Sequence, residues 1–266
     1  MKRALTAAVI LASVGLIALS VWTRSGRDDG HDDLIFEPFV ASDGTSSRFH
    51  LFRQGVPVGA PGLLVEFHGD GAFEFFNPDS AYALGGPHGI VASAREHGLL
   101  TLVALTPDRR GTLTWWEDGP ANAVYAHELV ASVIEANGVD RGDVWLVGYS
   151  GGAQFITEYF LPTQAGLIEG GGSVVFGGGG APKVDTRNLG AELPHQFKMH
   201  WYTGEADRGT PPEHFDALHQ AREGRSWYKD RGFETTLDSP RGIGHDHLPF
   251  GRVVDAQLTQ PRTTTR

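Results

Sequence analysis

The segment Gly148-Tyr149-Ser150-Gly151-Gly152 lies between an apolar run, residues 144–147, and a helix-like stretch, residues 153–161. This order predicts a strand, a sharp turn and a helix, with a serine at the tip of the turn. A turn of this kind strains the serine backbone and lifts the hydroxyl clear of the sheet, while the glycines let neighbouring chain pass closely. Because the chain has 36 glycines, the short pattern also arises by chance, and its interpretation depends on the surrounding elements.

Strand-like and helix-like segments alternate along the rest of the chain. Residues 34–40 and 48–52 are expected to form an antiparallel pair at the edge of a sheet. Further strands are expected at 63–67, 99–105, 144–147, 173–176, 198–202 and 233–237, and helices near 89–97, 121–137, 153–161, 212–229 and 249–258. This alternation predicts an α/β fold with a mostly parallel central sheet and helices on both faces. About twenty residues, rich in Gly and Pro, separate 176 from 198, which is too few for a large cap domain.

The N-terminus has the pattern of an export signal. Met1-Lys2-Arg3 precedes the uncharged run 4–23, and Ala18-Leu19-Ser20 is a candidate cleavage site. The run is nearly long enough to cross a bilayer, so an uncleaved anchor is the alternative. We therefore expect residues 1–24 to be a signal or anchor, 25–33 a linker, 34–258 one catalytic α/β domain and 259–266 a disordered tail. The expected location is secreted or extracytoplasmic.

Composition restricts the class of partner. The formal net charge of −10 argues against nucleic acid, because binding to phosphates requires clustered Lys and Arg. The chain has no cysteine, which excludes disulfides. A membrane is expected as a partner only through the N-terminal segment.

A serine nucleophile requires a base and a carboxylate that orients the base. In Gly204-Glu205-Ala206-Asp207, which follows a predicted strand, Asp207 would project from the carboxyl end of the sheet, where the sites of open α/β sheets lie. We take Asp207 as the acid. Glu205 is the alternative acid. Asp238 is a further candidate, but it precedes the histidine loop too closely to be preferred.

The base is expected in the loop Gly242-Ile243-Gly244-His245, whose glycines let a histidine swing over the serine. His247 competes with His245, and both could be ordinary surface histidines. A metal site built on His245-x-His247 with Asp246 lacks further ligands at suitable spacing. No metal and no cofactor are therefore expected.

Two backbone donors are required to stabilise an oxyanion. The first is expected at the N–H of Gly151, directly after the serine, at the positive end of the following helix. The second is expected from the turn His68-Gly69-Asp70-Gly71, at Gly69 or Asp70. A tight exit from the preceding strand is the alternative interpretation of this turn.

Aromatic residues near these loops are candidate substrate contacts. Trp115 and Trp116 could stack on a sugar or an aromatic acid, or could serve packing instead. Phe73, with its neighbours Phe75 and Phe76, could form an apolar acyl pocket or a packed loop. Tyr149 is a further candidate within the serine motif. The glycine run 177–180 lacks the Gly-Lys-Ser/Thr ending of a phosphate-binding loop and is interpreted as a flexible strand exit.

The ordered motifs resemble the α/β-hydrolase superfamily, specifically its secreted esterases without a cap. The resemblance covers residues 34–258 and rests on the order of serine, acid and histidine. It implies that Ser150 is the nucleophile, Asp207 the acid and His245 the base, with donors at Gly151 and at Gly69 or Asp70. The chain lacks a HGGG run and the cysteines of a cutinase-like framework. Its layout is more loosely similar to bacterial feruloyl esterases and polyhydroxybutyrate depolymerases.

The expected function is that of an exported serine hydrolase that cleaves a small-molecule or polymeric carboxylic ester through an acyl-enzyme. A serine peptidase or amidase would use the same residues. A catalytically silent surface-binding module of the same fold is the third alternative, because a fold does not establish an activity.

Overall fold

One twisted sheet organises the molecule. The computed structural model describes residues 32–57, 59–209 and 215–260, and within them eight strands lie in the order β1-β2-β4-β3-β5-β6-β7-β8. The strands are β1 (Leu34–Val40), β2 (Ser46–Phe52), β3 (Gly62–Phe67), β4 (Leu99–Ala104), β5 (Val144–Tyr149), β6 (Gly171–Phe176), β7 (Phe197–Tyr202) and β8 (Glu234–Asp238). Strands β3 to β8 are parallel, whereas β1 and β2 pair antiparallel at the edge, as predicted.

Helices cover both faces of the sheet. They are α1 (Phe73–Phe76), α2 (Ile90–Glu96), α3 (Gly119–Asn137), α4 (Gly151–Phe155), α5 (Leu161–Gln164), α6 (Ala217–Lys229) and α7 (Phe250–Leu258). Side chains of α3, α4 and α6 pack in one core cluster, and those of α2 and α7 pack in the other. Successive residues of β5 alternate between the two clusters, since side chains of a strand point to opposite faces. The prediction of helices on both faces is confirmed.

The helix after Ser150 is longer and less regular than predicted. A π-helical turn, Ile156–Phe160, joins α4 to α5, and a 3₁₀ turn, Ala165–Leu167, ends the run. Pro162 in the first turn of α5 has no N–H to donate to a carbonyl one turn earlier. The carbonyl of Glu158 instead accepts from the N–H of Lys183, at 3.1 Å.

The connection from β6 to β7 holds only two 3₁₀ turns, Arg187–Leu189 and Leu193–His195. The described part of the chain therefore contains no large cap domain, as expected. The helix predicted from residue 212 begins at Ala217, where the side chain of Asp216 accepts a hydrogen bond of 2.8 Å from the N–H of His219. Residues 210–214 lie outside the described residues.

The predicted signal or anchor, residues 1–24, and most of the predicted linker and tail lie outside the described residues. Asp33 is described, and its Oδ1 accepts from the N–H groups of Arg53 and Gln54 at 2.7 and 2.9 Å. Of the helices in the described ranges, none combines the length and the apolar character that a membrane span requires.

Candidate active site

Ser150 lies at the tip of a strained turn between β5 and α4. Its backbone has φ 51° and ψ −112°, a region that residues other than glycine rarely adopt. The Ser150 N–H donates to the carbonyl of Phe176 at 2.9 Å, which ties the turn to β6. A Cβ on Gly152 would collide with the carbonyl oxygen of Phe67, and one on Gly148 would lie 2.6 Å from the Gly152 carbonyl carbon. Glycine at both positions therefore permits the close crossing of strand and helix.

The loops that carry Asp207 and His245 are joined to each other by their backbones. The N–H of Ala206 donates to the carbonyl of Ile243 at 3.0 Å, and the N–H of Glu205 donates to that of Pro240 at 2.9 Å. A Cβ on Gly204 would collide with the Ile243 carbonyl, so glycine is required for this approach. The pairing holds both loops at the carboxyl edge of the sheet.

The structure brings Ser150, His245 and Asp207 into one hydrogen-bonded chain. His245 Nε2 lies 2.8 Å from Ser150 Oγ, and His245 Nδ1 lies 2.7 Å from Asp207 Oδ2. The Asp207 side chain is 6% exposed, whereas the His245 side chain is 32% exposed and open to a ligand. With the proton on Nδ1 directed to Asp207, Nε2 is free to accept the serine proton.

The alternative candidates for the acid and the base take no part in this chain of hydrogen bonds. Glu205 lies 3.8 Å from both Arg208 and Arg241, on the exposed side of its loop. Asp238 is largely exposed and lies 3.9 Å from His200. His247 is exposed, with φ 61°, and makes no hydrogen bond to Ser150 or Asp207.

Of the three predicted oxyanion donors, Gly69 is the one whose N–H has an acceptor within the described residues. Its N–H already donates to Glu74 Oε2 at 3.2 Å, and the N–H of Gly71 donates to the carbonyl of Leu113 at 3.0 Å. The N–H groups of Asp70 and Gly151 have no acceptor among the described residues. These two groups remain as the pair that could hold an oxyanion. The sequence did not indicate the role of Glu74, because it depends on a contact across the turn.

A buried histidine holds the same turn against the neighbouring strand. His68 Nδ1 lies 2.7 Å from the carbonyl of Gly69, and its Nε2 accepts from the N–H of Thr106 at 3.2 Å. Burial lowers the pKa of His68 to about 4, so the ring is neutral at physiological pH. Burial also raises the pKa of Glu74.

The aromatic candidates separate into buried and exposed residues. Trp115 is 0% exposed and packs against Phe67 and Phe155, with ring centroids 5.1 and 4.8 Å apart, so its predicted contact with substrate is wrong. Trp116 and Phe73 are 37% and 49% exposed at the surface.

Tyr149 lies under the histidine loop. Its ring is 5.1 Å from that of His245, and its hydroxyl donates to the His245 carbonyl at 3.1 Å. Burial raises the pKa of Tyr149, which keeps this hydroxyl protonated and able to donate. Tyr149 therefore positions the histidine loop.

Two further features border His245. Phe215 packs edge-on against the His245 ring at 5.8 Å, and nothing in the sequence around it indicated this contact. A Cβ on Gly177 would lie 3.0 Å from His245 Cε1, so the glycine run forms a close wall of the site. The run is anchored rather than a free exit, because Trp201 Nε1 donates to the carbonyl of Gly179 at 2.8 Å.

Within the described ranges, no group of three or more His, Asp or Glu side chains is arranged to hold a metal ion. Around Ser150 lie an imidazole, a carboxylate hydrogen-bonded to the far side of that imidazole, and two N–H groups with no acceptor among the described residues. That set suits nucleophilic attack by the serine.

The strand order, the strained serine turn and the acid and histidine loops after β7 and β8 define the α/β-hydrolase fold, and this chain has that fold. No protein-family model matches the sequence, and no curated protein matches it. Solved structures do resemble it, as follows.

The Bacillus cereus carboxylesterase has a TM-score of 0.54 and 17% identity, over 79% of this chain and 91% of that chain. A poly(3-hydroxybutyrate) depolymerase from Bordetella parapertussis has a TM-score of 0.54 and 16% identity, over 85% and 88%. An acetyl xylan esterase from Aspergillus awamori has a TM-score of 0.52 and 16% identity, over 79% and 93%. At these identities the similarity establishes the fold.

Proposed function

We propose that this protein is a serine hydrolase that cleaves carboxylic esters through an acyl-enzyme intermediate. The observation that carries the proposal is the chain of two hydrogen bonds from Ser150 Oγ through His245 to Asp207, at 2.8 and 2.7 Å. Three of the similar structures, a carboxylesterase, a poly(3-hydroxybutyrate) depolymerase and an acetyl xylan esterase, agree with it.

In the proposed reaction, Ser150 Oγ attacks the acyl carbon and its proton passes to His245 Nε2. The carbonyl oxygen becomes an oxyanion that accepts from the N–H groups of Gly151 and Asp70. His245 then gives its proton to the leaving alcohol, and the acyl group stays on Ser150. Water, deprotonated by His245, releases the acid and restores the serine. Asp207 holds the imidazole in the required tautomer and stabilises its positive charge.

The test is hydrolysis of p-nitrophenyl esters, from acetate to palmitate, by the wild type and by Ser150→Ala, His245→Ala and Asp207→Ala. Each variant should lose at least about a thousandfold in kcat/KM, because the three side chains act as a unit. The rival residues supply matched controls: Glu205→Ala and His247→Ala should keep most of the activity.

A wild type that hydrolyses no ester and resists a fluorophosphonate probe would contradict the proposal and favour a silent binding module. A p-nitroanilide with the same acyl group separates the esterase from an amidase. Preferential turnover of the anilide would move the proposal to the amidase class.

We also propose that the protein acts outside the cytoplasm, on the basis of the charged and then apolar N-terminal pattern. Expression of the whole chain in a bacterial host, followed by cell fractionation and N-terminal sequencing of the product, tests this. Full-length protein in the cytoplasm would contradict it, and full-length protein in the membrane fraction would identify an anchor.

A further inference from the structure

The side chain of Asp70 occupies an unusual position beside the proposed oxyanion site. A Cβ on Gly151 would collide with Asp70 Oδ1 and would lie 3.1 Å from Trp116 Cδ1. Gly151 directly follows the serine. The Asp70 carboxylate and the Trp116 ring fill the space that a side chain at this position would occupy. Both groups therefore border the place where a bound ester would react.

Trp116 holds this carboxylate in place. Trp116 Nε1 lies 3.2 Å from Asp70 Oδ1 and 3.1 Å from Oδ2, while both residues remain exposed at the surface. An ionised carboxylate has about four lone-pair positions, so one indole donor leaves acceptor capacity for a ligand. The exposed indole ring presents an electron-rich face at the same point.

A negative charge here opposes the proposed chemistry, although the positive charge that His245 gains in the same step offsets part of the repulsion. Oxyanion formation places negative charge at the N–H groups of Gly151 and Asp70, next to the carboxylate, and like charges raise the free energy of that state. Among the described residues, no lysine or arginine forms an ion pair with Asp70. Loss of hydration raises the pKa of Asp70, which reflects the cost of an ionised group at this place.

We propose that Asp70 and Trp116 bind an ammonium group of the substrate, so that esters carrying a cation near the scissile bond are preferred. A carboxylate beside an exposed indole combines charge attraction with cation–π attraction, which suits primary and quaternary ammonium groups. Such a group also neutralises the carboxylate while the oxyanion forms. The inference rests on the proposed ester hydrolysis and specifies its substrate class.

The experiment compares two matched pairs of esters. In one pair, the p-nitrophenyl ester of trimethylammonio-butyrate is compared with its isostere, in which a tert-butyl group replaces the trimethylammonium. In the other, acetylthiocholine is compared with its tert-butyl isostere, which places the charge in the leaving group. The readout is the ratio of kcat/KM for the cationic ester to that for the neutral one, in each pair.

The wild type should prefer the cationic ester by about tenfold in at least one pair, and Asp70→Asn should abolish the preference. Asparagine retains a side-chain oxygen that can accept from Trp116 Nε1, and it retains the backbone N–H of residue 70. The matched control is Glu117→Gln, which removes the same charge from a neighbouring exposed residue and should leave most of the ratio unchanged. An equal ratio in wild type and Asp70→Asn overturns the inference.

Binding separates failure of the inference from failure of the proposed function. Calorimetric titration with choline and with its tert-butyl analogue should show tighter binding of choline, which Asp70→Asn removes. If no ester is hydrolysed but this difference is observed, the ester-hydrolase proposal fails and the cation site stands. If neutral esters are hydrolysed and choline binds no better than its analogue, the cation site fails and the hydrolase proposal stands.

Discussion

At the scale of single residues, the glycines around Ser150 differ in how strongly their surroundings exclude a side chain. The motif predicted that glycines would flank the serine, but the structure shows that Gly152 has the tightest requirement, because the carbonyl of Phe67 occupies the space of its Cβ. Gly166, by contrast, has no heavy atom within 4 Å of its Cβ position. Each glycine of the motif around Ser150 therefore satisfies a separate steric constraint.

Gly152→Ala should lower the free energy of unfolding by about 3 kcal/mol, because rigid backbone must move to admit the methyl group. Urea denaturation, followed by circular dichroism, measures the change. Gly166→Ala is the matched control and should change stability by less than about 1 kcal/mol. Equal effects of the two substitutions would show that the crossing at Phe67 tolerates a side chain.

His68 should make the protein less stable in acid. Its folded pKa of about 4 lies below the ordinary value of 6.5, so between these pH values the unfolded chain binds more protons and stability falls as pH falls. From pH 7.5 to pH 5 the loss attributable to His68 is about 2 kcal/mol.

Urea unfolding of the wild type and of His68→Gln at both pH values tests this. The variant should be less stable at pH 7.5 but should depend less on pH. His195→Gln, at an exposed position, is the control and should keep the pH dependence of the wild type. A variant with the same pH dependence as the wild type would assign the acid sensitivity to other groups.

At the scale of elements, an ion pair joins the π-helical turn after α4 to the loop that follows the glycine run 177–180. Lys183 Nζ lies 2.8 Å from Glu158 Oε2, and the Glu158 side chain is 1% exposed. Burial raises the pKa of Glu158, whereas Lys183 lowers it. Loss of the lysine would leave a buried carboxylate without its cation.

Lys183→Met should destabilise the protein by about 2 kcal/mol at pH 8, after allowance for the partial exposure of the lysine. Without Lys183, the folded pKa of Glu158 rises further, so the destabilisation should shrink as pH falls and the carboxyl gains a proton. The double variant Glu158→Gln/Lys183→Met should recover most of the loss. Arg187→Met removes an exposed pair with Asp185 and should cost less than about 0.5 kcal/mol.

Element prediction succeeded where a local pattern decides the structure. The bounds of β1 equal those predicted, and α3 begins two residues before the predicted helix and ends with it, because Pro120 near its start and Gly138 directly after its end are local signals. The π-helical turn after α4 was not predicted, because it depends on Pro162 together with Lys183, which lies on a separate loop.

At the scale of the whole molecule, two apolar clusters share one sheet. Leu129 on α3 belongs to one cluster and Ile90 on α2 to the other, and each is at most 1% exposed. Because strands between them contribute side chains to both clusters, we expect the two faces to unfold together.

Leu129→Ala and Ile90→Ala should each lower the free energy of unfolding by about 2–5 kcal/mol. Both should shift one common transition, seen alike by tryptophan fluorescence and by circular dichroism. Val124→Ala, at an exposed position of α3, is the control and should have little effect. Two separate transitions would show that the faces unfold independently.

The sequence by itself determined the fold class, the antiparallel edge, the lack of a large cap and the strand-turn-helix around Ser150, since periodicity and glycine placement act over a few residues. Only the tertiary structure decided which carboxylate faces His245, that Glu74 uses the Gly69 N–H, and that Trp115 is buried whereas Trp116 is exposed beside Asp70. The contacts of His245 with Asp207 and of Trp116 with Asp70 join segments that are far apart in sequence, whereas the contact of Glu74 with Gly69 depends on how one short turn folds. Their contacts follow from how the loops pack at the carboxyl edge of the sheet, which local patterns do not encode.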